Sequence, residues 1–216
     1  MTQPLHPGLI GFEKQLDELC ECGRLFHSRG WSVGTSSNYS VVLSQSPCDL
    51  IVTASGNDKG RLTRPQFVRV GADGKPSQPN QPKSSAETML HVVLASRDEP
   101  VGSILHTHSV WGTLLSQHYF EAGGFSISDF EMLKGLEGIT THETEVWVPV
   151  FDNTQDIPKL AEEVSNMYKQ TPDRIRYGFL IRQHGLYTWG RDVFSARRHI
   201  EIFEFLFEVL GRRLGY

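Results

Sequence analysis

The sequence predicts an α/β protein, a three-layer α/β/α fold in which a central, mostly antiparallel sheet lies between two layers of helices. One observation is that short apolar runs of strand length alternate with segments of helical periodicity. Another is that several of these strand-like runs follow one another through turns, which favours antiparallel pairing. The length of 216 residues fits a single domain, 1–216, that is large enough to bury a core.

Five segments have the apolar spacing of helices. In the clearest one, at the end of the chain, Val193, Ala196, Ile200 and Phe203 recur at intervals of three and four, and Asp192 is a suitable N-cap. The other helices are predicted at about Gly8 to Arg29, Ala86 to Arg97, Val110 to His118 and Ile157 to Lys169.

Seven short apolar runs are predicted to be strands. They are Tyr39 to Leu43, Leu50 to Ala54, Gln66 to Val70, Val101 to His106, Glu145 to Phe151, Tyr177 to Arg182 and Leu186 to Trp189. The last two runs look like a paired unit that is broken at His184-Gly185. The stretch from Gly71 to Pro82, with two glycines and three prolines, is predicted to be a surface loop.

Composition and charge restrict the class of partner. The net charge is −4 with both signs mixed along the chain, so we expect no nucleic-acid partner. No apolar run approaches the roughly 20 residues that span a bilayer, so we expect no membrane partner. Met1 to Leu5 lacks the basic and apolar blocks of a signal peptide, and we therefore expect a cytoplasmic protein.

The sharpest chemical signal is His106-Thr107-His108 at the end of a predicted strand. Residues i and i+2 of a strand face the same side, so the two imidazoles can ligate one ion. Catalytic zinc takes three protein ligands and leaves one position open, and His184 at the strand interruption is the candidate third ligand. Histidine ligands also suit iron or manganese. The other six histidines are expected to be solvated or hydrogen-bonded.

Three clusters of small residues are candidate anion sites, because such loops expose backbone N–H groups and hydroxyls to a phosphate. The third cluster also opens a predicted helix, whose N-terminus favours an anion. The clusters are Gly34 to Asn38, Ala54 to Gly60 and Lys83 to Glu87.

Two carboxylates are candidates for proton transfer beside a metal-bound carbonyl. Glu87 follows the third small-residue cluster, and Glu131 lies in Phe130-Glu131-Met132-Leu133-Lys134-Gly135. The residues alone do not separate either carboxylate from an ordinary surface glutamate.

Together, in this order along the chain, these segments resemble the class II aldolase/adducin family, from about residue 10 to 212. The resemblance rests on Gly34 to Ser40, Thr53-Ala54-Ser55-Gly56, Ser84-Ser85, His106-Thr107-His108 and His184-Gly185. The segment from Glu131 to Gly135 and the run from Arg182 to Gly190 are most similar to the dehydratases of that family.

The resemblance implies a mostly antiparallel α/β/α fold, a homotetramer with its active site near a subunit boundary, and a small phosphorylated sugar as substrate. It implies one Zn²⁺ per subunit on His106, His108 and His184, and Glu131 as the general acid/base. The residues it implies for phosphate binding are Thr35, Ser36, Asn38, Ser55, Gly56, Ser84 and Ser85.

Two departures from the family pattern keep alternatives open. Many members have Gly where this chain has Ser37, so we expect a tighter turn there. Aldolases place their acid/base at the position of Glu87, and this chain has acids at both Glu87 and Glu131. An aldolase or epimerase acting on another ketose phosphate therefore remains an alternative to a dehydratase. A metal-free binding module is a third, against which the complete histidine set argues.

Overall fold

One eight-stranded sheet forms the centre of the computed structural model, which describes residues 4–216. The strands are β1 (Asn38–Gln45), β2 (Cys48–Thr53), β3 (Phe67–Gly71), β4 (Ser103–Thr107), β5 (Gly124–Ser128), β6 (Glu145–Phe151), β7 (Gly178–Ile181) and β8 (Gly185–Gly190). The helices are α1 (Glu13–Ser28), α2 (Thr88–Ala95), α3 (Val110–His118), α4 (Ile157–Gln170) and α5 (Val193–Arg213).

The sheet order is β3-β2-β1-β4-β8-β7-β6-β5, and every neighbouring pair is antiparallel except β6 and β7. The predicted mostly antiparallel sheet is therefore confirmed. The register places Asn38 of β1 opposite His106 of β4, and His106 opposite Tyr187 of β8. Three residues from distant parts of the sequence thus form one row across the centre of the sheet.

Helices cover both faces of the sheet. On one face, α1, α3 and α5 bury residues such as Leu19, Leu115 and Phe203 against it. On the other, α2 and α4 pack through residues such as Leu90 and Val164. This arrangement confirms the three-layer prediction. All described strands belong to one sheet, and the single-domain range of 1–216 stays a prediction.

The first helix begins five residues later than its apolar pattern predicts. Gly11 has φ +92°, a left-handed conformation that a helix does not continue through, and its N–H donates to the Glu13 carboxylate. A single 3₁₀ turn at Pro7–Leu9 precedes this break. Leu5, Leu9 and Phe12 pack on the core without extending α1, whereas Ile10 is exposed.

One strand, β5, is absent from the sequence prediction. Phe125 and Ile127 are buried, whereas Ser126 and Ser128 point to solvent. This alternation has the period of a strand, but two apolar residues at a sheet edge, paired only with β6, are a weak signal.

Cys20, Cys22 and Cys48 are buried free thiols. Between residues 4 and 216, no helix is both long and apolar enough to cross a bilayer. The signal-peptide expectation concerns Met1 to Leu5, and residues 1–3 lie outside the described part of the chain.

Candidate metal centre and active site

Three histidines from two distant segments meet at one end of the central strands. His106 is the fourth residue of β4, His108 follows the end of that strand, and His184 lies in the turn between β7 and β8. Because β4 and β8 are neighbours in the sheet, the turn that precedes β8 brings His184 to the end of β4. The structure therefore brings together the three residues predicted to hold a metal.

The three Nε2 atoms converge on one point. The distances are 2.7 Å between His106 and His108, 3.1 Å between His108 and His184, and 3.4 Å between His106 and His184. Tetrahedral Zn–N bonds of about 2.0–2.1 Å would separate neighbouring ligand nitrogens by roughly 3.3 Å. The donor set and its spacing thus fit a divalent cation.

The protonation of these rings also suits a metal. The Nδ1 atom of His106 lies 2.8 Å from the carbonyl oxygen of Leu186; a hydrogen bond to that carbonyl requires Nδ1 to carry the proton and leaves the Nε2 lone pair free. Burial, with the neighbouring imidazoles, holds the pKa of His106 well below its usual value. Burial lowers the pKa of His108 to about 3. Both rings are therefore neutral near pH 7, as a metal ligand must be.

Gly185 is required for the approach of the two strands. A Cβ atom on Gly185 would lie 1.9 Å from the carbonyl oxygen of Thr107. Any other residue would push β8 away from β4 at the position where His184 and His108 face each other. The glycine after His184 is therefore a packing requirement of the site.

Glu87 is the carboxylate beside the histidines. It lies immediately before α2, and its Oε1 atom is 3.2 Å from Nε2 of His184. Its Oε2 atom accepts hydrogen bonds from Nδ2 of Asn38 at 2.6 Å and from the hydroxyl of Tyr187 at 3.0 Å, and is 3.6 Å from Nε2 of His106. The carboxylate is thus held in place and directed at the proposed metal position.

Aromatic and amide groups pack against the histidines and Glu87 and support this arrangement. The Tyr187 ring stacks on the His106 ring, with centroids 4.0 Å apart and planes 13° from parallel. His91 is fully buried, and its ring bonds to Ser40 and to the Asn38 side chain. His91 is hydrogen-bonded, as expected of the six other histidines, yet it also belongs to the network that orients Glu87.

A cavity of about 470 Å³ opens in front of the histidines. It is lined by His108, His184, Glu87, the loops before β1 and after β2, and the residues at the start of α4. Of the predicted phosphate-binding residues, the ones on its surface are Thr35, Ser36, Asn38, Ser55, Gly56 and Ser85.

Two of the predicted phosphate ligands are differently engaged. The hydroxyl of Ser84 donates to the carbonyl oxygen of Gly74 at 3.4 Å, and Ser84 does not line the cavity, because it pairs with Ala54 in an isolated bridge. Both ends of the Asn38 side-chain amide are already bonded to Glu87 and His91. Ser84 therefore lies outside the cavity surface, and the Asn38 amide is engaged in holding Glu87 and His91, so phosphate binding by these two residues stays a prediction.

Ser37 has φ +72°, in the left-handed region that favours glycine. A non-glycine residue there costs about 1–2 kcal/mol. The structure thus gives a physical reason for the glycine that many family members have at this position. The turn brings Ser36 and Asn38 to the cavity surface.

Lys59 is a cavity residue that sequence reasoning overlooked. Only 2% of its surface is exposed, and its ammonium group donates to the carbonyl oxygens of Thr35 and Asn57, one in each of two loops that line the cavity. Burial lowers the pKa of Lys59 to about 8. A lysine inside a cluster of small residues was the available signal, and its burial could not be read from the sequence.

Glu131 is not part of this cavity within one chain. Its side chain is 71% exposed and pairs with Lys134 at 2.5 Å and with His142 at 3.6 Å. The hydrogen bond from Lys134 lowers its pKa, contrary to the raised pKa expected of an acid in a dry pocket. The sequence could not reveal this, because exposure depends on where β5 and the following turn lie in the sheet.

Comparisons with known proteins point to one family. Residues 17–210 match the profile described as the class II aldolase and adducin N-terminal domain. The chain is 45% identical over 190 residues to a methylthioribulose-1-phosphate dehydratase from Marinobacter nauticus, covering 88% of this chain and 89% of the relative. It is 43% identical over 197 residues to the protein of that name from Sorangium cellulosum, covering 91% of each.

A solved structure has the same fold. The L-fuculose-1-phosphate aldolase from Thermus thermophilus superimposes with a TM-score of 0.70 at 19% identity, covering 93% of this chain and 95% of the other. At that identity, the likeness concerns the fold alone.

Proposed function

Because this chain belongs to the class II aldolase and adducin family, we propose that it is a methylthioribulose-1-phosphate dehydratase. Such a hydro-lyase converts 5-methylthioribulose 1-phosphate to 5-methylthio-2,3-dioxopentyl phosphate. The observation that carries the proposal is the convergence of three Nε2 atoms beside a partly buried carboxylate, in a chain 45% identical to a relative of that name.

The proposed metal is zinc, held by His106, His108 and His184. Bound there, zinc supplies Lewis acidity that polarises the substrate carbonyl and stabilises the negative charge that develops on oxygen. The substrate phosphate rests against Ser55, Gly56 and the other polar groups of the cavity loops. The charge of Lys59 compensates the charge of the phosphate.

The residues of the chain move the protons. Glu87 removes the proton from C3 of the substrate, since its carboxylate lies beside the metal position and is oriented by Asn38 and Tyr187. The C3–H electron pair becomes the C3–C4 double bond as the C4 hydroxyl accepts a proton from a second acid, Glu131, and leaves as water. The resulting enol rearranges to the 2,3-diketone.

Glu131 is proposed as the second acid/base, and it reaches the cavity from a neighbouring copy of the chain. Its exposure and its position outside the cavity of its own chain support this assignment. A closed homotetramer with sites at subunit boundaries would bring the two acids together. We further propose a cytoplasmic enzyme of methionine salvage.

The decisive experiment is an assay with 5-methylthioribulose 1-phosphate that follows the ultraviolet absorbance of the diketone. The metal content of the purified protein is measured alongside. We expect about one zinc per chain, loss of turnover after chelation, and recovery when zinc is added. The variant His184→Ala should lower the zinc content. A zinc-loaded protein that does not dehydrate this substrate would refute the proposal.

The second candidate is an aldolase or epimerase acting on another ketose phosphate. Two observations favour this candidate: the fold is shared with L-fuculose-1-phosphate aldolase, and Glu87 lies beside the histidines. Incubation with fuculose, rhamnulose and ribulose phosphates separates these functions. An aldolase cleaves its substrate into two carbonyl fragments, an epimerase gives an isomer of unchanged mass, and a dehydratase gives a product that is lighter by one water.

A further inference from the structure

Glu204 is a buried carboxyl group on the far side of the metal-bearing strand. Its side chain projects from α5, and the residue is 2% exposed. Its Oε1 atom accepts a hydrogen bond from the hydroxyl of Thr107 at 3.0 Å. Its Oε2 atom has no hydrogen-bond partner within residues 4–216.

The position is an unfavourable one for a carboxyl group. Its neighbours along the inward face of α5 are apolar, including Ile200, Phe203 and Phe207. Burial raises the pKa of Glu204 to about 7, although the hydroxyls of Ser109 and Thr107 act in the opposite direction. A leucine would avoid this desolvation cost, so the stability of the helix does not explain the residue.

What Glu204 contacts is the segment that carries two of the proposed metal ligands. Thr107 stands between His106 and His108, with its side chain on the opposite face of β4, towards α5. Thr107 is also the last residue of β4 that pairs with β8. His108 lies beyond that last pair, and its backbone N–H is held by the carbonyl oxygen of Trp31.

The orientation of His108 therefore depends on how firmly its neighbours are held. On one side, Thr107 is tied to Glu204. On the other, Ser109 caps α3 by accepting a hydrogen bond from the N–H of Gly112. Without the bond to Glu204, the side chain of Thr107 would lose a fixed partner at the strand end.

We propose that Glu204 is a positioning residue for the metal centre, which fixes Thr107 and thereby holds His106 and His108 in the geometry that binds the cation. The inference rests on the proposed metal site. Glu204 touches neither the cation nor the substrate, because it lies across the strand from the cavity. Groups that hydrogen-bond to metal ligands typically change metal affinity by about 10–100-fold when they are removed, and we expect an effect of this order for Glu204 acting through Thr107.

The test compares zinc affinity, measured by competition with a chromophoric chelator, in the full-length protein and its variants. Glu204→Leu keeps the volume and removes the acceptor, and should weaken zinc binding by about 10–100-fold. Glu204→Gln retains an acceptor oxygen for Thr107 and should bind zinc nearly as tightly as the wild type. Glu208→Gln, one turn further along α5 in an exposed pair with Arg212, is the matched control and should be unchanged.

Thr107→Val removes the same hydrogen bond from the other side. It should weaken zinc binding like Glu204→Leu, and the double variant should be no weaker than the single ones. If Glu204→Leu does not fold, Thr107→Val and Glu204→Gln still carry the test. Cobalt(II) substitution gives a second readout, since the visible spectrum of the ion should change in Thr107→Val and remain that of the wild type in Glu204→Gln.

Two results would overturn the inference, and they are distinguishable. If the wild type binds zinc and Thr107→Val binds it equally tightly, Glu204 has no role in the metal centre, even if the variants melt at lower temperature. If the wild type binds no divalent metal, the proposed function fails together with the inference.

Discussion

Oε1 of Glu87 lies 3.2 Å from Nε2 of His184, although the two residues are 97 positions apart in the sequence. Asn38 and Tyr187 bond to the other oxygen of the same carboxylate. Both sides of the carboxylate are thus constrained, one by hydrogen-bond donors and one by the proposed metal position. This relationship places the Glu87 carboxylate beside the histidines and supports the proposal that it is the acid/base that a single chain supplies to its own cavity.

Replacing Glu87 by Gln should abolish most turnover and leave zinc bound. The amide keeps the size of the side chain but cannot accept the C3 proton, so kcat should fall by roughly 10²–10⁴-fold. Glu163→Gln, in an exposed pair with Lys159, serves as the control. Wild-type kcat in a zinc-loaded Glu87→Gln variant would remove Glu87 from the mechanism.

Replacing Glu131 by Gln should also lower kcat, and the two defects should complement each other. When Glu87→Gln and Glu131→Gln chains are co-expressed, a site formed between copies can contain both intact acids. Random mixing in a symmetric oligomer should then restore roughly a quarter of wild-type activity. A mixed sample no more active than its parents would show that Glu131 does not act across a subunit boundary.

Substrate affinity should weaken as the pH rises past about 8. Burial lowers the pKa of Lys59 to that value, so its ammonium loses its charge there, whereas the substrate phosphate stays dianionic. Lys59→Met should raise KM by roughly 10–100-fold at pH 7 and make it independent of pH in this range. Lys75→Met, at an exposed position, is the control. If KM still rises with pH in Lys59→Met, the pH dependence belongs to another titrating group.

The same pKa shift has a defined effect on stability. In the unfolded chain Lys59 keeps its proton up to about pH 10.4, whereas in the folded chain it loses the proton near pH 8. Between these values the unfolded state binds more protons, so this residue makes the free energy of unfolding rise with pH. In Lys59→Met this contribution is absent, so the free energy of unfolding measured in urea should rise less, or fall more, with pH across that range than in the wild type, while the buried thiols of Cys20 and Cys22 contribute equally to both proteins.

Gly185→Ala should destabilise the protein and reduce its zinc content together. The added Cβ would lie 1.9 Å from a backbone oxygen of Thr107, and backbone cannot move aside as a flexible side chain can. We expect a loss of roughly 3 kcal/mol or more in urea unfolding. Gly71→Ala, whose Cβ would have no neighbour closer than 3.9 Å, is the control. Unchanged stability of Gly185→Ala would contradict the packing described for β4 and β8.

The features that depend on local periodicity could be predicted from the amino-acid sequence alone. All seven predicted strands are present with bounds within two residues of those in the structure, and α3 has the predicted bounds. The pairing of His106 with His108 follows from the two-residue repeat of a strand. His184 could be selected because a histidine followed by glycine interrupts two strand-like runs.

Which of the remaining polar residues come into contact depends on how the chain folds in three dimensions. Glu87 and Glu131 are equivalent in the sequence, yet the sheet order places one beside the histidines and leaves the other exposed on its own chain. Ser84 is adjacent to Ser85 but faces away from the cavity, and the burial of Lys59 and Glu204 has no local signature. The physical reason is that burial and contact depend on long-range strand pairing and helix packing, whereas periodicity is set by neighbouring residues alone.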